Sequence, residues 1–447
     1  MNHTESTICA LASSIGKGGI GVVRVSGPLS QTIAKKMLGL LPKPRYAHYG
    51  SFLDQDAVEI DQGIALFFPR PHSFTGEDVL EFQGHGGIIV MRSLLESALA
   101  LGAQAAQPGE FSKRAFLNGK MDLVQAEAVA DIIDANSDQA SRCALRSLTG
   151  VFSKQVNTLT RSIIDLRIFV EATIDFSDEE IDFLQSEQVK EKVQAIKTEI
   201  EQILHSATQG AILREGLNVA IAGKPNAGKS SLLNALTQRS SAIVTDVAGT
   251  TRDVLRETIH INGMPLNIID TAGLHESQDV VEKEGIKRAR DVIKQADVVL
   301  MMYDAQELEP DFSLLPADIE YKYLLVIKNK IDLTNERVEK NSINQKTQLS
   351  ICAKNVQGID LLKQELADIA GLDSSAEGVV LARKRHIIAL EAAQESIVNA
   401  LLQLDGGAIE LMAEDLRHAG QSMASITGEF SSDDLLGEIF SSFCIGK

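Results

Sequence analysis

Residues 223–230 read "GKPNAGKS", the spacing G-x-x-x-x-G-K-[ST]. The chemistry that needs this pattern is the holding of a polyphosphate. Gly223 and Gly228 let backbone N–H groups wrap phosphate oxygens. Lys229 reaches the β and γ phosphates, and Ser230 offers a hydroxyl to Mg2+. An apolar run at 219–222 precedes the loop and "SLLNAL" follows it, the strand–loop–helix context that the motif requires. Two later segments specify the base and the switch. "NIIDTAG" (267–273) is a buried strand ending in Asp270-Thr271-Ala272-Gly273, where Asp270 serves the Mg2+ water shell and the Gly273 N–H senses the γ-phosphate. "LLVIKNKID" (324–332) ends in Asn329-Lys330-Ile331-Asp332. The Asp332 carboxylate accepts from guanine N1 and N2, a donor pair that adenine lacks, so GTP is preferred over ATP.

The residue after Gly273 is Leu274. Many small GTPases orient the attacking water with a glutamine there. Leucine cannot, so another group must place the water and neutralise the transition-state charge. "TDVAGTTRD" (245–253) supplies a candidate. Thr251 is the natural second protein ligand of Mg2+, and oxygens of Thr245, Val247, Thr250 and Asn226 are hard donors suited to an alkali ion. On the residues alone, a polar loop is the simpler reading.

These loops need elements to hold them, and the chain shows three textures. Residues 1–118 mix strand-like runs, "GVVRVSG" (21–27), "GIALFFP" (63–69) and "DVLEFQG" (78–84), with helical stretches near 28–40 and 88–101. From 119 to 215 Gly and Pro are scarce, and Val189, Val193, Ile196, Ile200 and Ile203 fall on one helix face. Residues 216–371 alternate strands and helices around the nucleotide motifs. Residues 372–447 return to helix, with "HIIALEAAQESIVNALLQL" (386–404) and a short last helix that Ser431 and Asp434 fit as a capping box. The expected fold is multidomain: an α/β domain in front, then a helical domain interrupted by a P-loop α/β domain.

Net charge is −18, which argues against broad charge-driven binding to nucleic acid. An RNA contact should be local, or a partner should supply the positive surface. Cys9, Cys143, Cys352 and Cys444 match no zinc spacing and read as reduced thiols, which points to the cytoplasm. No apolar run approaches the ~20 residues needed to span a bilayer, and "MNHTESTICALASS" lacks the pattern of a secretion signal.

Longer strings, "HSFTGEDVLEFQGHGG" (72–87), "PGEFSKRAFLNGKMDLVQAEAVADII" (108–133), the G-domain motifs and the terminal "CIGK", together resemble the MnmE (TrmE) family of tRNA-modification GTPases along the whole chain. The resemblance implies a folate-binding-like α/β domain that dimerises, and a helical domain interrupted by a Ras-like G domain. It implies a homodimer that joins a flavoprotein, MnmG, in a heterotetramer, with FAD supplied by that partner and tRNA as substrate. The product would be a carboxymethylaminomethyl or aminomethyl group on C5 of the wobble uridine. By matching position, GTP would lie against Asn226-Ala227-Gly228-Lys229-Ser230-Ser231, Thr245-Asp246-Val247-Ala248-Gly249-Thr250-Thr251, Asp270–Gly273, and Asn329, Lys330 and Asp332. K+ would fall on Asn226, Thr245, Val247 and Thr250, and Mg2+ on Ser230 and Thr251. Glu282 would help orient water.

The resemblance also places 5-formyltetrahydrofolate, or a related folate, on Arg24, Glu81, Lys120 and Lys447. As a prenylation box the C-terminal "FCIGK" is poor, since lysine ends it and no polybasic stretch precedes it. Its expected course is a fold-back toward the folate pocket, anchored by Phe440 and Phe443. Cys444 would then be either a nucleophile toward uridine C6 or a wall of the pocket. One motif departs from the family: the usual "SAK" loop reads Cys352-Ala353-Lys354, and the Ala353 N–H is expected to meet guanine O6. The rival class, a ribosome-assembly GTPase that binds rRNA, usually appends a basic domain after its G domain. Here that region is helical and ends in "CIGK".

Overall fold

The computed structural model describes residues 6–14, 16–135, 137–175, 187–237, 256–261, 264–270, 290, 292–316, 318–319, 321–370, 379–429, 433–441 and 443–446. Two compact units partition the chain. One comprises Met1–Asp134, Ser147–Glu199 and Ala392–Lys447, and the other Ala135–Arg146 and Ile200–Glu391.

The first unit holds a six-stranded sheet of β1 (Ile8–Leu11), β2 (Gly18–Ser26), β3 (His48–Leu53), β4 (Glu59–Phe68), β5 (Val79–Gly86) and β6 (Gln104–Ala105), in the order β3-β4-β5-β2-β1-β6. All its pairings are antiparallel except β1 with β6. Side chains alternate along a strand. Val23 and Val25 of β2, Leu80 and Phe82 of β5, and Phe52 and Phe67 therefore share one face. There they meet Ile33 and Met37 of α1 (Ser30–Leu38) and Leu94 and Ala98 of α2 (Ile88–Ala100). Phe52 and Phe82 stand edge to face at 5.4 Å. The same alternation puts Arg24 and Glu81, cross-strand partners in the register, on the opposite face.

Helices α3 (Glu110–Leu117), α4 (Leu123–Asp134), α6 (Val151–Asp175), α11 (Ile409–Thr427) and α12 (Asp433–Ser441) complete this unit. Between α4 and α6, α5 (Asp138–Leu148) runs across the boundary of the two units. Phe152, Val156, Leu159, Ile163, Leu166 and Val170 recur on α6 at steps of four and three, as do Met412, Leu416, Ala419, Met423 and Ile426 on α11. Such stripes are what two helices bury against each other, and α6 and α11 do pack together. The expected capping serine, Ser431, lies outside the described residues.

The second unit is built on a seven-stranded sheet of β7 (Leu217–Gly223), β8 (Arg256–Ile261), β9 (Met264–Asp270), β10 (Val298–Asp304), β11 (Tyr323–Asn329), β12 (Glu339–Ile343) and β13 (Lys346–Ser350). The order is β12-β13-β11-β10-β7-β9-β8, parallel through the middle five strands and antiparallel at each edge. Central strands β7 and β10 are buried almost throughout, as parallel strands covered on both faces must be. Its helices include α8 (Lys229–Thr237) and α9 (Ile359–Ile369). Two long helices, α7 (Glu187–Glu215) and α10 (Lys384–Asp405), have residues in both units. On α7, Val189, Val193, Ile196 and Ile200 are buried while Ile203 is only half-buried.

The expectation that no apolar run approaches bilayer length needs a correction. By length and composition alone, α10 is long and apolar enough to cross a membrane. It nevertheless carries Glu391 and Glu395, and it buries Leu390, Ala393, Ile397 and Ala400 at three-four-three spacing. That is the stripe of a helix packed by one face.

Candidate functional site

In the second unit, the described nucleotide motifs, residues 223–230, Asp270, 329–332 and 352–354, lie at or just beyond the C-terminal ends of the parallel strands, where open α/β sheets bind ligands. β7 ends at Gly223 and α8 begins at Lys229. The Lys229 side chain is buried and donates to the carbonyls of Gly223 (2.7 Å) and Lys224 (2.9 Å), which curls the loop around its ammonium. Gly228 has φ +97°, and a Cβ there would lie 2.2 Å from Asn329 Nδ2. Only glycine fits. Asn329, at the end of β11, donates to Ala227 O (2.9 Å) and accepts from Ala353 N (3.0 Å). It thus ties the phosphate loop to the 352–354 loop. The Ala353 N–H expected at guanine O6 is therefore committed to Asn329 in this structure.

Asp332 Oδ1 accepts from Cys352 Sγ at 3.0 Å. Burial, and then the Asp332 carboxylate, push the Cys352 thiol up. The "CAK" departure in the sequence was the one signal for this contact. Lys330, at φ +64°, holds Asp304 at 2.7 Å. Burial raises the Asp304 carboxyl, but the Gln306 N–H and the Lys330 ammonium more than offset that and leave it below the usual range. Lys224 pairs with Glu307 at 2.8 Å, and that contact raises its ammonium.

Ser230 and Ser231 are exposed on the first turn of α8, and Asp270 ends β9 in register with Ile221 of β7. A hydroxyl at the loop mouth and a carboxylate-bearing residue on the adjacent strand fit the oxygen chemistry of Mg2+. Asn226 sits in the loop at φ +66°. Thr245–Thr251, Thr271–Gly273, Leu274 and Glu282 lie outside the described residues.

In the first unit, Arg24 Nε meets Glu81 Oε1 at 2.9 Å on the sheet face away from α1 and α2. The Arg24 guanidinium lies 5.7 Å from the ring centres of Phe74 and Phe111. The other end of the chain reaches the same place. Arg24 Nη1 donates to Gly446 O at 3.4 Å, and Gly109 N to Cys444 O at 3.3 Å. Gly446 has φ +97°, and a Cβ there would lie 2.3 Å from Leu11 O, so the tail runs against β1. Phe440 and Phe443 are buried with Leu123, Ala126, Ala130, Leu436 and Ile439. Cys444 is exposed, and Lys447 lies outside the described residues.

Lys120 Nζ donates to Pro71 O at 2.8 Å, on the same loop that presents Phe74 to Arg24. A buried network fixes that loop. Ser26 Oγ meets Thr75 Oγ1 (2.7 Å) and Glu77 (2.6 Å), and Asn118 donates to Thr75 O. Arg114, 3% exposed, binds Glu77, Glu110 and Ser6. Sequence reasoning assigned none of these anchors a role, although several fall inside the two long strings. A guanidinium–carboxylate pair beside an exposed Phe74 ring suits a flat heterocycle with an amide-like edge, and so fits a pterin.

Profiles of known families cover nearly all of the chain. That of the MnmE helical domain matches residues 123–444, and that of the GTP-binding protein TrmE N-terminus matches residues 7–120. The chain is 72% identical over 447 residues to the tRNA modification GTPase MnmE of Ruthia magnifica subsp. Calyptogena magnifica, covering all of both chains. It is 55% identical to the tRNA modification GTPase MnmE of Vibrio cholerae serotype O1 (strain ATCC 39541 / Classical Ogawa 395 / O395), covering 99% of this chain and 100% of that one. Among solved structures, the FeoB G-domain from Methanococcus jannaschii aligns with 35% of this chain and 98% of its own length, at 23% identity and a TM-score of 0.26. The 72% and 55% identities to the two MnmE relatives over essentially the whole chain, with the helical-domain match across 123–444, mean that the chain belongs to the MnmE (TrmE) family of tRNA modification GTPases.

Proposed function

We propose that this GTP-hydrolysing tRNA-modification enzyme keeps a one-carbon site in its first unit. With a flavoprotein partner of the MnmG kind carrying FAD, it would build a carboxymethylaminomethyl or aminomethyl group on C5 of the wobble uridine. The observation that carries the reading is the Arg24–Glu81 pair, which the carbonyl of Gly446 approaches from the far end of the chain. Bound 5-formyltetrahydrofolate, or a related folate, would supply the one-carbon unit. Glu81 would accept from the pterin N3–H and amino group, the same donor logic by which Asp332 reads guanine. Arg24, Lys120 and Lys447 would meet carbonyl and carboxylate oxygens. Cys444 has two candidate roles, pocket wall or thiolate. As a thiolate it would add to uridine C6, and the ring electrons would move toward the C4 oxygen to make C5 nucleophilic. Modification that survives Cys444→Ser assigns it to the wall.

In the second unit Lys229 would bind the β and γ phosphates, while Ser230 and Thr251 would hold Mg2+. K+ on Asn226, Thr245, Val247 and Thr250 would stand where an arginine finger otherwise neutralises charge, and Glu282 would help orient water. Two G domains of a homodimer would close on each other for hydrolysis.

Wobble nucleosides from a strain lacking the gene, complemented with the wild-type or the Arg24→Ala chain, test the reading. The wild type should restore the modified uridine. Arg24→Ala should not, while its GTP turnover stays at the wild-type rate. Normal wobble uridine in the deletion strain, together with defective ribosomal subunits, would overturn the reading in favour of an rRNA-binding assembly factor.

A further inference from the structure

Helix α7 ends at Glu215 and β7 begins two residues later. The last carbonyls of a helix lack partners within it. Here the Glu215 carbonyl accepts from Asn267 Nδ2 at 2.8 Å. Asn267 sits in β9, three residues before Asp270. Its Oδ1 accepts from Thr258 Oγ1 of β8 at 3.0 Å, and its Nδ2 lies 3.4 Å from Asn218 Oδ1 of β7. One carboxamide thus touches β7, β8 and the end of α7. The approach is close. Gly216 has φ +82°, and a Cβ there would lie 2.8 Å from Pro265 O and 2.9 Å from Asn267 Nδ2. The other flank of the joint is fastened separately. Asn218 N donates to Asp297 Oδ2 (3.1 Å), and Asp297 N to Asn218 O (2.9 Å), where β7 runs beside β10.

β8 follows the 245–253 segment and β9 leads into 270–273. The proposed function assigns both segments to sensing Mg2+ and the γ-phosphate, and the inference rests on that assignment. We infer that Asn267 is a positioning residue that couples the two switch-bearing strands to α7. A shift of β8 or β9 on nucleotide exchange changes the bonds of this amide, and with them the seat of the last turn of α7. The helix continues unbroken to Glu187, within the first unit. A chain of bonds is not by itself coupling, so the test must separate transmission from simple helix capping.

Three full-length chains are compared: wild type, Asn267→Ala and Thr258→Val. The last keeps the Asn267–Glu215 bond and removes only the tie to β8. Hydrogen exchange is read across 200–215 and 256–270 with GDP and with a non-hydrolysable GTP analogue. Modified wobble uridine formed per GTP hydrolysed is measured in parallel. In the wild type, exchange in both regions should depend on the nucleotide. Both variants should keep GTP turnover, lose the dependence in 200–215, and drop in modification per GTP by at least about fivefold, the lower end of usual coupling. A Thr258→Val chain that matches wild type in both readouts would overturn the inference and leave Asn267 as a cap. Loss of turnover in step with modification, with the ratio unchanged, would overturn it as well. Absence of any nucleotide response at 256–270 in the wild type would instead refute the switch assignment, and the inference with it.

Discussion

Phe443→Ala tests whether the C-terminal tail is part of the working site. Phe443 is 4% exposed and stands 5.3 Å from Phe440 within the cluster that includes Leu123 and Ala130. Truncating a buried phenylalanine costs about 3–5 kcal/mol. Beyond it, the described tail residues make two long hydrogen bonds, 3.3 Å from Gly109 N and 3.4 Å from Arg24, and seat Gly446 against β1. Each is worth no more than about 1 kcal/mol net, so they do not offset the loss. At 1.4 kcal/mol per tenfold, a 3 kcal/mol loss lowers the ratio of docked to released tail by about a hundredfold. Hydrogen exchange at 440–446 should quicken by up to about that factor. Wobble-uridine modification should fall in proportion to the docked fraction, by up to that factor, and GTP turnover should stay within about twofold of wild type because the nucleotide motifs lie in the other unit. Full modification by a chain whose tail exchanges like a free segment would show that the docked tail is not part of the site.

Further outcomes concern the nucleotide loops, the Arg114 network, the thiols and the alkali ion. Cys352→Ala should weaken GTP binding more than ITP binding, because Asp332 then loses its brace and inosine offers it one donor fewer; Cys352→Ser should restore the ratio, as nucleotide titrations would show. Arg114→Leu leaves the half-buried carboxylates of Glu77 and Glu110 without their guanidinium partner, a loss of about 1–3 kcal/mol in denaturant unfolding. Of the four thiols only Cys444 is exposed, so one equivalent of maleimide should react rapidly at pH 8. Cys9 is buried, and burial pushes its thiol up to about 11, so it should stay unlabelled in the folded chain at that pH. GTP turnover should be markedly faster in K+ than in Na+, and equal rates would remove the alkali ion from the account.

The nucleotide loop was legible because its chemistry is local: eight consecutive residues carry the glycines, the lysine and the hydroxyl. Strands β2, β4 and β5 were legible as short strand-like runs bounded by Gly and Pro, within a few residues of their ends. β1 and β3 were not. "ICAL" is too short to show a period, and "HYGSFL" mixes polar residues onto both faces. The register that sets Arg24 beside Glu81 depends on how β2 and β5 align across 57 residues, which no local pattern encodes. Asn267 gave no signal at all. A lone asparagine in an apolar strand becomes meaningful only when α7 ends against it. Ala353 shows the converse limit, since its N–H was readable as a donor but its partner, Asn329, was not.

The most direct test is a calorimetric titration of the full chain with 5-formyltetrahydrofolate, repeated with Glu81→Gln and with a chain ending at Phe443, while GTP turnover is followed in each. Saturable binding by the wild type, lost or strongly weakened in both variants without a change in turnover, is the predicted result. No saturable binding, or equal affinity in all three chains, would contradict a one-carbon site built from a sheet face and the chain's own terminus.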